Sequence, residues 1–336
     1  MKLKKFLVAA VATAAAAALA LSLAGCGGSG EKKPEGGSAT PAADSLRFVT
    51  GGESGTYYAF GTVLANYAAN TEGLDITALA GNGSQANVQA LQDGDAELAF
   101  CQSDVLAYAY EGTNLFEGAA YTDFSIVAAL YNEQVQIVTC DPKIKTIADL
   151  KGKTVSIGAA GSGVYFNAID VLGAYDLTEK DINAVYQNFA DSAASLKDGK
   201  IDAAFIVAGA PTTAITDLST SKTAYLVSLD EEHVSGLLEI SEYYQAATIP
   251  AGTYAGVDED VTTVAVSAVI IAADTVSEDA IYTLCADIFD NAADLTDSHA
   301  KYAELSVENG ASITSVPYHP GAAKYFKEKG FEVETK

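Results

Sequence analysis

Two segments set about a hundred positions apart repeat one unit. ALQDGDAELAFCQ (90–102) and SLKDGKIDAAFIV (195–207) each join the end of an amphipathic helix to an Asp-Gly stop and then to a short apolar run. A run of that length bounded by a glycine stop reads as a strand buried on both faces, and a helix feeding such a strand through a tight turn is the half-unit of a parallel α/β sheet. The unit occurs twice in a chain of 336 residues, long enough for two ordinary cores, so two similar α/β lobes are expected.

The rest of the chain fits that frame. SLRFVTG (45–51) alternates as a strand, after which Tyr57, Phe60, Leu64 and Ala68 fall on one helical face. LDITALA (74–80) reads as a strand, SQANVQALQDG (84–94) as a helix ended by Gly94, and SDVLAYAYEG (103–112) as a helix ended by Gly112. FSIVAALYNE (124–133) and VQIVTC (135–140) read as two consecutive strands opening the second lobe, which continues through the helices at 164–175, 190–199 and 211–219. VTTVAVSAVIIAAD (261–274) and the helix after it return to the first lobe. The expected division is 46–133 plus 255–336 for lobe I and 134–254 for lobe II, with two chain crossings making a hinge and an interlobe cleft.

Open α/β sheets bind ligands beyond the carboxyl ends of their strands, where helices begin. The turns there read GGESGTYY (51–58), AGNGSQAN (80–87), CQSDVLAY (101–108), GAAGSGVY (158–165) and AGAPTTAI (208–215). Four of the five combine Gly with Ser or Thr at a helix start. Any single one is explained as an N-cap. Together they leave unpaired N–H groups and positive helix ends open to a small anion, most simply a carboxylate. Arg47 is the one arginine and stands at the start of the first strand, so a guanidinium clamp from the second lobe is excluded. Tyr57 and Tyr58 supply ring area and a hydroxyl to a ligand, or pack into the core. GNGSQA (81–86) matches a dinucleotide-binding turn, but Asp104 does not end the following strand, and no nicotinamide site is assigned.

Composition removes other classes. With 19 Lys+Arg against 44 Asp+Glu and a net charge of −25, the surface repels nucleic acid. His233, His299 and His319 are scattered, no metal motif or cofactor fingerprint stands, and neither a Ser elbow nor a Cys–His pair is recognisable, so the reading is a non-enzyme without cofactor or metal. Cys101, Cys140 and Cys285 read as small buried residues, and VDEDV (257–261) as a solvated loop. At the N-terminus a basic MKLKKF, an apolar stretch and LAGC read as a lipoprotein signal peptide (1–25) with Cys26 lipidated, followed by a Gly/Ser/Pro tether (26–45). An uncleaved spanning anchor is the alternative, because the apolar stretch approaches bilayer length.

Five stretches, TGGESGTYYAFG, GNGSQANVQALQDGDAELAFCQSDVLAYAYEG, IADLKGKTVSIGAAGSG, IPAGTYAG and SVPYHPGAAKYFKEKGF, together resemble the TAXI-type solute receptors of tripartite ATP-independent periplasmic (TRAP) transporters. The resemblance runs from about Leu46 to Phe331. It implies a type II periplasmic-binding-protein fold, each lobe a mostly parallel sheet flanked by helices, that closes over an acidic solute of glutamate or dicarboxylate type. It also implies a monomer delivering that solute to membrane permease subunits and touching the membrane through its lipid anchor only. Carried onto this chain, the ligand-binding residues are Gly52, Ser54, Thr56 and Tyr57 in the first turn, Ser84 and Asn87 in the second, Gln102, Ser103 and Asp104 in the third, and Ser162 and Gly163 from the opposite lobe. Asp104 belongs there only if it caps its helix or holds an ammonium group. HPGAAKY (319–325) is a family hallmark open to packing, docking or binding. A sensory receptor of the same fold, reporting to a membrane signalling protein, is the alternative function.

Overall fold

The computed structural model describes residues 45–71 and 74–336; the signal peptide, Cys26 and all but the last residue of the tether lie outside them. One ten-stranded sheet runs through the molecule in the order β2-β1-β3-β10-β4-β7-β5-β6, with β8 on β4 and β9 on β10. The first lobe carries β1 (Ser45–Val49), β2 (Asp75–Leu79) and β3 (Leu98–Gln102), all parallel, joined by α1 (Thr56–Thr71) and α2 (Ser84–Gln92) and followed by α3 (Ser103–Glu111). β4 (Phe124–Thr139) then crosses to the second lobe. There β5 (Thr154–Ser156), β6 (Asn183–Val185) and β7 (Ala203–Ala208) are parallel, connected by α4 (Val164–Ala174) and α5 (Phe189–Asp198), with α6 (Thr213–Ser221), β8 (Tyr225–Leu226), α7 (Glu231–Ile240) and β9 (Gln245–Ile249) after them. β10 (Val261–Ala273) returns, antiparallel to β9, β4 and β3. Four helices close the chain over the first lobe: α8 (Glu278–Phe289), α9 (Ala292–Leu295), α10 (Val307–Gly310) and α11 (Pro320–Glu328).

The structure corrects the reading of the strands at one place. The two strands expected at 124–133 and 135–140 are the single strand β4, with Glu133 opposite Val266 and Gln134 opposite both Ala265 and Ala208. The polar trio Asn132-Glu133-Gln134 looks like a break because polar residues usually leave a sheet. Here the strand stays paired while passing from one lobe to the other, and Glu133 faces a cavity rather than a core.

The repeated Asp-Gly stops do what their chemistry requires. Gly199 ends α5 in the left-handed region at φ 69°, and Gly94, after the Asp93 cap of α2, lies there at φ 72°. Burial follows the two lobes. Phe48, Phe60, Phe100, Phe124 and Phe326 sit in the first core, and Ile137, Val155, Phe205 and Leu237 in the second. Tyr57 stacks on Phe100 with centroids 4.3 Å apart, which fixes the ring at the edge of the first core. Cys101 and Cys285 are buried free thiols, as expected, and burial pushes both up; Cys140 is only half-buried.

HPGAAKY makes packing contacts at the start of α11. His319 caps α11, its Nδ1 accepting from the N–H of Gly321 at 3.2 Å while Nε2 lies 3.1 Å from the Val276 carbonyl. A methyl group on Gly321 would lie 2.2 Å from the Glu278 carbonyl oxygen, so α11 and α8 touch backbone to backbone. Gly321→Ala is therefore expected to cost about 2–3 kcal/mol and lower the melting temperature by about 4–8 °C, measured by calorimetry.

Candidate functional site

A cavity of about 60 Å³ lies between the lobes, room for a handful of waters and hence for a compact solute. Its wall is built from helix starts. Gly55 precedes α1, Gly83 precedes α2, Gly163 precedes α4 and Asn188 precedes α5, and all four residues line it. Neither Gly83 nor Gly163 caps its helix with a side chain; the Ala86 N–H is taken by the Gly161 carbonyl and the Phe166 N–H by the Gly163 carbonyl, so the N–H groups of Ser84 and Gln85 in α2 and of Val164 and Tyr165 in α4 are the ones left to whatever enters. Asn188 is different: its side chain accepts from the N–H of Asp191 at 2.8 Å. Val164, Phe189, Val207 and Ala208 supply apolar area.

Two buried residues at this cavity carry a side-chain oxygen without a protein partner among the described residues. Ser162, 5% exposed, has a buried hydroxyl with no hydrogen bond. Glu133, 2% exposed, accepts from the Tyr57 hydroxyl through Oε2, and that is its one side-chain hydrogen bond. Burial pushes the Glu133 carboxyl up to about 8 against the pull of the Tyr57 hydroxyl and of Lys301. No Lys, Arg or His is among the described residues that line the cavity. The polar groups the lining offers are helix-start N–H groups, hydroxyls, side-chain amides and the Glu133 carboxyl.

The expected site residues divide. Gly52, Thr56, Tyr57, Ser84, Gln102, Ser162 and Gly163 line the cavity together. Ser54, Asn87, Ser103 and Asp104 do not, and each has another task. The Ser54 carbonyl accepts from the Ala214 N–H at 3.2 Å. Asn87 donates through Nδ2 to the carbonyls of Thr50 (2.6 Å) and Phe100 (2.8 Å), tying α2 to β1 and β3. The Ser103 hydroxyl accepts from the Ser267 N–H at 3.1 Å. Asp104 caps its own helix start, Oδ1 accepting from the Val105 N–H at 2.8 Å, and Oδ2 accepts from Asn167 Nδ2 of the second lobe at 2.9 Å. Arg47 lies on the outer surface, paired with Glu97 at 2.6 Å. Tyr58 is half-buried and away from the cavity.

Contacts between the lobes surround this space. The Ala86 N–H donates to the Gly161 carbonyl at 2.8 Å, the Thr56 hydroxyl to the Gly209 carbonyl at 2.8 Å, and Gln102 Nε2 to Asn167 Oδ1 at 2.8 Å. Asn167 also donates to the Tyr244 hydroxyl at 2.9 Å, and that hydroxyl to Asp170 at 2.8 Å. Glu133, Asn167, Asn188 and Phe189 were not legible as site residues. The one signal for Glu133 was its position between two apolar runs.

A family model described as the NMT1-like family matches residues 48–330. The chain belongs to the NMT1-like family. Solved structures resemble this NMT1-like chain at low identity. One described as a periplasmic transporter is 13% identical with a TM-score of 0.52, covering 87% of this chain and 95% of its own. The ligand-binding component of an ABC-type import system from Staphylococcus aureus, with zinc bound, is 10% identical with a TM-score of 0.50, covering 87% and 94%. A protein of Bordetella bronchiseptica is 16% identical with a TM-score of 0.50, covering 84% and 88%. The NMT1-like chain thus has the two-lobed α/β fold of periplasmic binding proteins: the two lobes expected from its repeated half-unit, in the fold class that the resemblance implied. No helix among the described residues is long and apolar enough to cross a membrane.

Proposed function

We propose that this protein is an extracytoplasmic, lipid-anchored solute-binding protein that captures a small acidic solute, a glutamate-like amino acid or a dicarboxylate, for a TRAP-type permease. The observation that carries the reading is the cavity between the lobes, ringed by four helix starts and holding the unpartnered Ser162 hydroxyl. Fixed N–H dipoles at these helix starts suit an anion without a cationic side chain. The crossings at β4 and β10 serve as the hinge, so the lobes part to admit the solute and meet again over it. The motifs shared with TAXI receptors support the TRAP partner and a monomer without cofactor. Binding without turnover is the activity this site serves.

A thermal-shift screen of carboxylates and amino acids, followed by calorimetry, tests the reading. A true solute raises the melting temperature as its concentration passes Kd, and a flat response across both classes overturns the proposal. Ser84→Ala removes a hydroxyl that accepts from the Gln102 N–H at 3.1 Å at the cavity wall. It is expected to weaken binding by roughly 1–3 kcal/mol. Arg47→Lys is expected to leave affinity unchanged, since Arg47 pairs with Glu97 outside the cavity. Fixed dipoles in a closed cavity are poorly screened, so wild-type Kd is expected to change little between low and high salt.

A further inference from the structure

Resting on the receptor reading above, we infer that Glu133 is the specificity residue of the cavity and that it reads an ammonium group, so that the solute is an α-amino acid rather than a dicarboxylate. Glu133 comes from the crossing strand β4 and lines the cavity with the helix starts. The Tyr57 hydroxyl holds Oε2, and the stacked Tyr57 and Phe100 rings hold Tyr57, so the carboxyl group is fixed in place. Oε1 has no hydrogen-bond partner among the described residues and is left as an acceptor toward the cavity.

Charge balance selects the occupant. A carboxylate on the solute is already provided for by the uncapped starts of α2 and α4. A second carboxylate beside Glu133 would place two acids in a closed, water-poor space, where like charges cannot both stay ionised. An ammonium group there reverses the interaction: it donates to Oε1, and a zwitterion brings no net charge into the cavity. The groups facing Glu133 are Tyr57 from α1, Cys101 from β3, Asp104 from α3, Tyr131 on its own strand and Lys301 from the turn after α9. Tyr57, Cys101 and Tyr131 are all pushed up and stay neutral below pH 8. Lys301 is already paired with Glu304 at 2.5 Å. Asp104 and Glu133 itself are the acids of this group that titrate near neutrality.

Calorimetry with matched pairs, L-alanine against propionate and L-glutamate against glutarate, tests the inference. In at least one pair the amino member is expected to bind tenfold or more tightly than its des-amino analogue. Glu133→Gln should abolish that preference, the two members of each pair then binding within about threefold of each other. Tyr57→Phe, which frees Oε2 but keeps the ring, should reduce the preference without abolishing it, and melting curves establish that both variants are folded. Affinity for the amino member should rise between pH 6 and 7.5, because the proton must leave Glu133 before the ammonium group docks, whereas a carboxylate accepting from protonated Glu133 gives the opposite slope. If des-amino members bind as well as amino members, or if Glu133→Gln keeps the preference, the inference is wrong while the receptor reading stands. Should no member of either pair and no other carboxylate bind, both fall together.

Discussion

Gly163→Ala is expected to weaken solute binding by roughly ten- to a hundredfold while leaving the melting temperature of the solute-free protein nearly unchanged. Gly163 is the residue before α4 and has ordinary right-handed angles, φ −68° and ψ −22°, so alanine brings no backbone strain there. What it brings is a methyl group 1.4 Å from Gln102 Oε1 and 3.0 Å from Ser84 Oγ, both on the opposite lobe. Gln102 cannot simply swing aside, because its amide donates to Asn167, which in turn donates to Asp104. Overpacking of this kind costs about 1–3 kcal/mol, and the cost falls on the approach of the lobes rather than on either core. Calorimetric affinity and a melting curve with and without solute separate the two effects. Wild-type affinity in the variant would mean that this contact is no part of the bound state. A large fall in the solute-free melting temperature would mean that the lobes are fused rather than closing.

Gly83, directly opposite, is a less clean probe. It sits at φ 106°, where any side chain is strained, so Gly83→Ala would destabilise the fold before the lobes met. The pair of glycines nevertheless answers why GNGSQA and GAAGSG lack side chains at these positions. The two turns press against each other across the cleft, with Gly83 against Ser162 and Gly163 against Gln102.

Such reciprocal contacts mark the limit of what a linear reading reaches. Strand, helix and turn types were legible because they depend on local periodicity and on stops such as Gly112 and Gly199, whose left-handed angles need no tertiary context. The five sheet-top turns were legible for the same reason, and residues from all five line the cavity. What local pattern could not tell is which polar residue in a turn faces the ligand and which ties down its own backbone. Ser84 and Asn87, three apart on α2, look equivalent in sequence. The Ser84 side chain lies at the cavity, whereas the Asn87 amide is spent on the carbonyls of Thr50 and Phe100. Glu133 escaped because a carboxylate inside a strand signals an edge or a break by local rules, and only the crossing of β4 between lobes gives it a cavity to face.

That buried carboxylate, with Asp104, leads to the last expectation: the solute-free protein becomes less stable as pH rises from about 5 to 8. Burial raises Asp104 from an ordinary 3.8 to about 7 and Glu133 from 4.5 to about 8, and it raises Asp170 in the same direction. In the unfolded chain these acids ionise near 4. Between there and their folded values the native state holds protons that the unfolded state has lost, so stability falls with increasing pH. Each such group contributes a slope of up to about 1.4 kcal/mol per pH unit within its window, and Asp104 and Glu133 share most of theirs. The exposed acids Asp149, Asp181 and Asp230 act oppositely. Their backbone and side-chain hydrogen bonds lower them, so the stability they add is lost only below about pH 4, which leaves the optimum near pH 5. Melting curves from pH 4 to 8 in wild type, Glu133→Gln and Asp104→Asn read this directly. Each variant is expected to flatten the fall above pH 5, whatever it does to the absolute midpoint. Asp104→Asn gives up an acceptor for the Val105 or Asn167 N–H group and should start lower. A wild-type melting temperature that is level or climbs from pH 5 to 8 would show that both carboxyls are ionised in the folded protein, and Glu133 would then hold a cation even in the absence of solute.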